Sequence, residues 1–332
     1  MTVSIGLLGA GRIGKVHAEA IATNRNAELT AVSDPIVEAA AAIAQNAGAR
    51  QAPIDDILAD SAIDAVIIAT PTDLHADQIE AAARAGKAIF CEKPIDLDTE
   101  RVRSCLGVVA RENARLMIGF NRRFDPHIAE LRGQIDRGAV GDVELAQITS
   151  RDPAPPPEEY VRRSGGIFRD MMIHDFDMAR FLLDEEIVEV SATGSVLFEQ
   201  MIGDAGDFDT ATATLRSETG RICVITNSRR ATYGYDQRIE VHGSKGLAAI
   251  DNTRATNVMV ADGGGYRTEP LLPFFMERYL DAYKRELAVF INALKSSSPL
   301  SPDGNDGLRA LEIADAAEES ARTSKKVTTQ SR

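Results

Sequence analysis

The chain has few cysteines, no surplus of positive charge and no long apolar run, and each lack removes a class of protein. Its three cysteines, Cys91, Cys105 and Cys223, are odd in number and include no CxxC pair. Reduced thiols in a cytoplasmic protein are therefore expected, not a disulfide framework. Lys and Arg number 37 against 50 Asp and Glu, a formal net charge of −13. A firm hold on DNA or anionic lipid needs clustered positive charge, so neither nucleic acid nor membrane is an expected partner. No stretch reaches the roughly 18–20 apolar residues of a membrane helix. The opening MTVSIGLLGAGRIG has no basic segment, and glycines break its apolar run, unlike a signal peptide. What is left is ordinary globular material: 332 residues, 44% hydrophobic and 26% charged. That is enough for about two domains whose cores need no covalent staples.

Periodicity divides the chain near residue 120. Apolar runs at Val3–Leu8, Leu29–Ser33, Ala65–Ala69, Ala88–Phe90 and Leu116–Gly119 read as buried strands. Helical patterns separate them, about Ile13–Thr23, Val37–Ala47, Asp73–Ala85 and Thr99–Asn113. Such alternation predicts parallel strands joined by right-handed crossovers, an α/β Rossmann domain over 1–120. After a helical stretch at Pro126–Arg137 the texture changes to alternating segments: Val143–Ser150, Val188–Phe198, Phe208–Leu215, Arg221–Ser228, Arg238–His242, Leu247–Ile250 and Asn257–Ala261. Glycine turns separate them, which predicts a mostly antiparallel sheet in an α+β domain over 121–332. Helices at about Glu277–Lys295 and Asn305–Thr323 close the chain.

Gly9-Ala10-Gly11-Arg12-Ile13-Gly14 is G-x-G-x-x-G, placed where a strand ends and a helix opens. In that context the first glycine permits the turn, the second admits a pyrophosphate and the third lets helix and strand pack closely. The phosphates would sit on the free N–H groups around Gly11, Arg12 and Ile13. Asp34 lies 20 residues after Gly14, at the end of the second strand, with Pro35 and Ile36 next to it and no arginine. A carboxylate there accepts from the ribose hydroxyls and repels a 2′-phosphate, so NAD is expected in preference to NADP. Thr70, Pro71 and Thr72 end the third apolar strand and would line the cofactor. His75, in the first turn of the next helix, has two open roles, packing or capping and cofactor contact.

Two further clusters suggest chemistry. Glu92-Lys93-Pro94 follows a buried strand end, where a lysine could stabilise an alkoxide as it forms, although a surface lysine is equally compatible with three residues. Asp170 and His174 stand four apart in a segment, Asp170–Leu183, that can be helical. On one helix face, a carboxylate beside an imidazole fixes its tautomer and raises its basicity, as a general base requires. A structural histidine fits the same residues. A metal held by Asp170, His174 and Asp175 lacks the two-histidine spacing of common zinc helices, and none is expected.

Taken together, these motifs resemble the glucose-fructose oxidoreductase and inositol dehydrogenase family over nearly the whole length. The resemblance rests on Gly9–Gly14, Ala69–His75, Glu92-Lys93-Pro94, Gly119–Asp125, Gly165–Asp177 and Tyr233–Glu240. The last two stretches are most similar to its inositol dehydrogenases. The resemblance implies a Rossmann domain and then a large open sheet whose outer face forms a homotetramer. It implies catalysis by Lys93, Asp170 and His174, with Glu92 and Lys93 also at the cofactor. It implies polyol contacts from Arg123, Asp152 and Tyr235 besides the catalytic three. The reaction implied is NAD-dependent oxidation of a cyclic polyol, myo-inositol to 2-keto-myo-inositol foremost. Another inositol isomer, an aldose, an NAD-using glycosidase and a noncatalytic NAD sensor are the alternatives. Asn121 stands where the family often has a bulkier apolar residue, which leaves the stereoisomer open.

Overall fold

The computed structural model describes residues 2–329. Its contacts form two compact units, Met1–Asp125 with Leu280–Leu311, and Pro126–Tyr279 with Glu312–Arg332. In the first unit, six strands make one parallel sheet: β1 (Val3–Leu8), β2 (Ala27–Ser33), β3 (Arg50–Gln51), β4 (Ala65–Ile68), β5 (Ala88–Glu92) and β6 (Leu116–Gly119). Their order is β3-β2-β1-β4-β5-β6. The order reverses at β1, which is where such sheets open a crevice for a ligand. Every residue of β1, β4 and β6 is buried, as helices on both faces require.

The division expected at residue 120 misses one return of the chain. Helix Leu280–Ser296 buries Leu287, Phe290 and Ile291 in the same core as Ile5, Ile21, Ile67 and Phe90. The segment Leu280–Leu311 therefore belongs to the first unit, not to the sheet domain that surrounds it in sequence.

The second unit contains β7 (Val143–Arg151), β8 (Ile187–Ser195), β9 (Thr210–Ser217), β10 (Ile222–Ser228), β11 (Asp236–Gly243), β12 (Gly246–Ile250), β13 (Met259–Asp262), β14 (Gly265–Thr268) and β15 (Val327–Thr328). Seven form a sheet in the order β12-β11-β7-β10-β9-β8-β15, antiparallel throughout except where β7 lies parallel to β10. Strand β9 shows why the sheet has two unlike faces. Ala211, Ala213 and Leu215 point into the core, while Thr212, Thr214 and Arg216 are exposed. Helix Ile173–Leu183 covers the apolar face with Phe176, Ala179, Leu182 and Leu183. No helix among the described residues is long and apolar enough to cross a membrane.

One helix departs from expectation. Ile167–Met171 is a π-helical turn, and the α-helix begins only at Ile173. The Met172 N–H donates to the Ile167 carbonyl at 2.8 Å, five residues back. Asp170 and His174 are thus not one turn apart on a regular α-helix, because the wider turn intervenes.

Candidate active site

The first unit carries the dinucleotide loop. Gly9 has φ +101°, and a Cβ there would stand 2.5 Å from the Ala69 carbonyl oxygen. At Gly14 a Cβ would meet the Gly9 carbonyl oxygen at 2.1 Å. Side chains are excluded at both positions by backbone. Gly11 is different: a Cβ there would meet nothing within 4 Å, so the space above it is open. Helix Arg12–Thr23 starts at Gly11 without a side-chain cap, and its first-turn N–H groups are presented to an anion. Arg12 is exposed and Ile13 half-buried beside this opening. These residues fit a pyrophosphate.

Asp34 does more than its position suggested. Its Oδ2 accepts from the Ala10 N–H at 2.6 Å and its Oδ1 from the Ile36 N–H at 2.8 Å. The carboxylate pins the glycine turn, and each oxygen keeps a lone pair for a ribose hydroxyl. Past β4, the Thr70 hydroxyl donates to Gln78 at 2.7 Å, and Pro71 and Thr72 open a short 3₁₀ turn. His75 is 1% exposed, with Nδ1 2.7 Å from the Pro94 carbonyl oxygen and Nε2 2.8 Å from that of Thr70. Both ring nitrogens are engaged by backbone, so His75 ties the β4 end to the Lys93-Pro94 turn. A hydrogen bond from either ring nitrogen to the cofactor, one form of its other expected role, would have to displace one of these carbonyls.

Glu92 is similarly engaged. Its Oε1 lies 2.7 Å from Nε2 of His17, which is buried edge-on against Phe90 and Tyr283 at ring distances of 5.1 and 5.8 Å. Sequence reasoning missed His17; its only signal was a histidine on the apolar face of the first helix, three residues after Gly14. Lys93, half-buried, follows directly. Arg123 sits in a 3₁₀ turn and pairs with Asp306 at 3.1 Å, and Asn121 beside it is 4% exposed.

The second unit carries the other cluster. The π turn sets Asp170, whose Oδ1 accepts from the Tyr160 hydroxyl at 2.8 Å and whose Oδ2 lies 3.6 Å from Nη1 of Arg229. His174 is half-buried in the first turn of the following helix. Asp175 next to it turns inward and accepts from Ser150 at 2.7 Å and Asn227 at 2.8 Å, a structural role. Asp152 directly follows β7 and is half-buried, its N–H donating to the Ser228 carbonyl at 3.0 Å.

Tyr235 is 6% exposed and packs edge-on against Phe274 and Tyr279. Its neighbour Tyr233 is the exposed one, at 51%, and donates to Asp236 at 2.6 Å. Asp236 is fully buried; burial opposes its charge, but hydrogen bonds from Arg238, Tyr233 and Asn252 outweigh it and hold the carboxyl below its usual range. Tyr160, Asp207 and Arg229 carried no motif and were not foreseen; Tyr233 opens the Tyr233–Glu240 stretch, but only Tyr235 in it was given a role.

Known proteins resemble this chain along its full length. Residues 3–120 match the model of an oxidoreductase family with an NAD-binding Rossmann fold, and residues 128–249 match the GFO/IDH/MocA C-terminal domain. An inositol 2-dehydrogenase of Rhizobium meliloti (strain 1021) is 60% identical over 317 residues, 96% of each chain. A myo-inositol dehydrogenase structure from Corynebacterium glutamicum superposes with a TM-score of 0.97 at 45% identity, covering 100% of both chains. A scyllo-inositol dehydrogenase from Lactobacillus casei, solved with bound NAD(H) and scyllo-inositol, gives 0.92 at 32% identity, again covering 100% of both. A glycine turn that excludes side chains where it must, an acid at the end of β2 and both domain matches have one conclusion: the chain belongs to the GFO/IDH/MocA family of NAD-binding oxidoreductases.

Proposed function

We propose that this enzyme oxidises a secondary hydroxyl of a cyclic polyol, myo-inositol to 2-keto-myo-inositol foremost. Bound NAD supplies the hydride acceptor. His174 takes the hydroxyl proton, Asp170 holds the imidazole in the right tautomer, and the Lys93 ammonium stabilises negative charge on the oxygen. Arg123, Asp152 and the turn carrying Tyr235 serve the remaining hydroxyls. The observation that carries this reading is the full set of Lys93, Asp170 and His174 in a chain 60% identical to an inositol 2-dehydrogenase. Asp34, with no arginine beside it, supports NAD over NADP.

Residues 1–120 hold the cofactor, and 121–332 hold the substrate and partner copies, apart from the return at Leu280–Leu311. The seven-stranded sheet supports a homotetramer: helices cover one face, while Gln147, Thr212, Thr214, Arg238 and His242 are exposed on the other. A cytoplasmic location is supported by three buried free thiols, with burial pushing Cys105 up to about 12. Steady-state rates on inositol isomers, aldoses and sugar alcohols, each with NAD and NADP, test the reading. Substrate-dependent NADH formation with an inositol is expected. No activity on any inositol overturns it, and sugar release without net NADH points to a glycosidase.

A further inference from the structure

Arg229 follows β10 and is 1% exposed, the environment in which a guanidinium is least at home. It stands between two carboxylates. Nη2 donates to Asp207 Oδ2 at 3.2 Å, and Nη1 faces Asp170 Oδ2 at 3.6 Å. Its Nε is buried without a hydrogen-bond partner. Asp207, 7% exposed, uses its other oxygen to accept the Ile167 N–H at 2.8 Å, at the start of the π turn. Gly166, just before that turn, has φ +82°, and a Cβ there would stand 2.8 Å from Asp207 Oδ1. A buried cation with an unmatched donor and a glycine-only backbone are both unfavourable features. They converge on the turn that carries Asp170.

We propose that Arg229 is a positioning residue for Asp170. The buried pair Asp207 and Arg229 clamps the half-buried Asp170 and fixes the turn and the carboxylate on it from a single anchor. Tyr160 holds one Asp170 oxygen and Arg229 faces the other, so the carboxylate plane cannot rotate freely. Asp170 then meets His174 in one orientation. Loss of the clamp acts on turnover through that orientation, not on substrate affinity. The inference rests on the role given to Asp170 above.

The test compares wild type with Arg229→Lys and Arg229→Ala on whichever substrate the polyol scan finds, with Asp170→Ala as control. Arg229→Ala should lose on the order of 10²-fold in kcat, the scale of a small misplacement. KM for the polyol and affinity for NAD should stay within about threefold. Millimolar guanidinium should restore part of the kcat of Arg229→Ala and none of that of Asp170→Ala. Arg229→Lys should fall between, and it serves if the alanine variant does not fold. Wild-type kcat in Arg229→Lys and Arg229→Ala, or a loss confined to KM, overturns the proposal. If the wild type acts on a sugar but no inositol, the proposed substrate fails while these ratios still test the clamp. If it oxidises nothing, a crystal structure of Arg229→Lys decides: a displaced Asp170 carboxylate supports the clamp, and an unmoved one overturns it.

Discussion

The two units hold their functional groups by different means. In the first, the cofactor loop is nearly continuous in sequence: Gly9 to Gly14 bend and dock against their own strands, and Asp34 pins the bend through Ala10. In the second, Asp170 is held by Tyr160 and Arg229, with Asp207 behind, and none is its sequence neighbour. A dinucleotide site can be local because it recognises phosphate with backbone N–H groups. An acid–base pair needs side chains at defined angles, and distant parts of a fold must supply the supports. The first design should therefore fail through binding, and the second through turnover.

Four perturbations sharpen that contrast. The largest effect is expected at His174. His174→Ala should cut kcat by about 10²–10⁴ with little change in NAD affinity; a drop under about tenfold removes it from the role of base. Next comes the core under the cofactor sheet. Phe90, 1% exposed and packed edge-on against His17 and Phe290, should cost about 3–5 kcal/mol as Phe90→Ala. Chemical denaturation measures it, and weaker NAD binding should accompany the loss if His17–Glu92 is displaced.

Asp34→Ala should weaken NAD by about 10–100-fold, the scale of one or two charge-assisted hydrogen bonds. NADP should weaken less. Equal losses in a titration of both cofactors would leave Asp34 only its hold on the glycine turn.

The smallest effect is a pH dependence in the second unit. Asp209 is fully buried; burial raises its pKa, but N–H donors from Phe198, Glu199 and Leu197 and the Thr210 hydroxyl outweigh that and hold it below the ordinary carboxylate value. A folded-state pKa depressed below the unfolded value adds stability that is complete above the unfolded pKa and is lost as pH falls through the folded one. The Tm gap between wild type and Asp209→Asn should be widest above about pH 5 and close below about pH 4. A gap that does not vary with pH would show that shape alone, not charge, holds the loop.

Most strands of both sheets were legible, because burial on two faces or one leaves continuous or alternating patterns. β9 runs Thr210–Ser217 where the pattern placed Phe208–Leu215, a shift of two residues at each end. The short strands β3 and β15 were not legible, since two residues carry no period. Nor was the return of Leu280–Leu311 to the first unit. Its helix is amphipathic, and amphipathicity says that a face is buried but not against what. His75 shows the same limit inside the site. Its place in the chain suggested a cofactor contact as readily as packing, and only the tertiary structure places its two nitrogens against the Pro94 and Thr70 carbonyls.

By itself the sequence determined the parallel and antiparallel sheets, the glycine turn and its acid, and the presence of Lys93, Asp170 and His174. Each depends on period, steric permission or residue chemistry, which are local properties. Tertiary structure alone decided the wide turn at Ile167–Met171, the pairing of Glu92 with His17, and the burial of Arg229 between Asp207 and Asp170. The two pairings depend on contacts between groups far apart in the chain, and the turn, though closed by a local bond, is anchored at Ile167 by the distant Asp207. Their strength comes from exclusion of water, which no single segment can arrange.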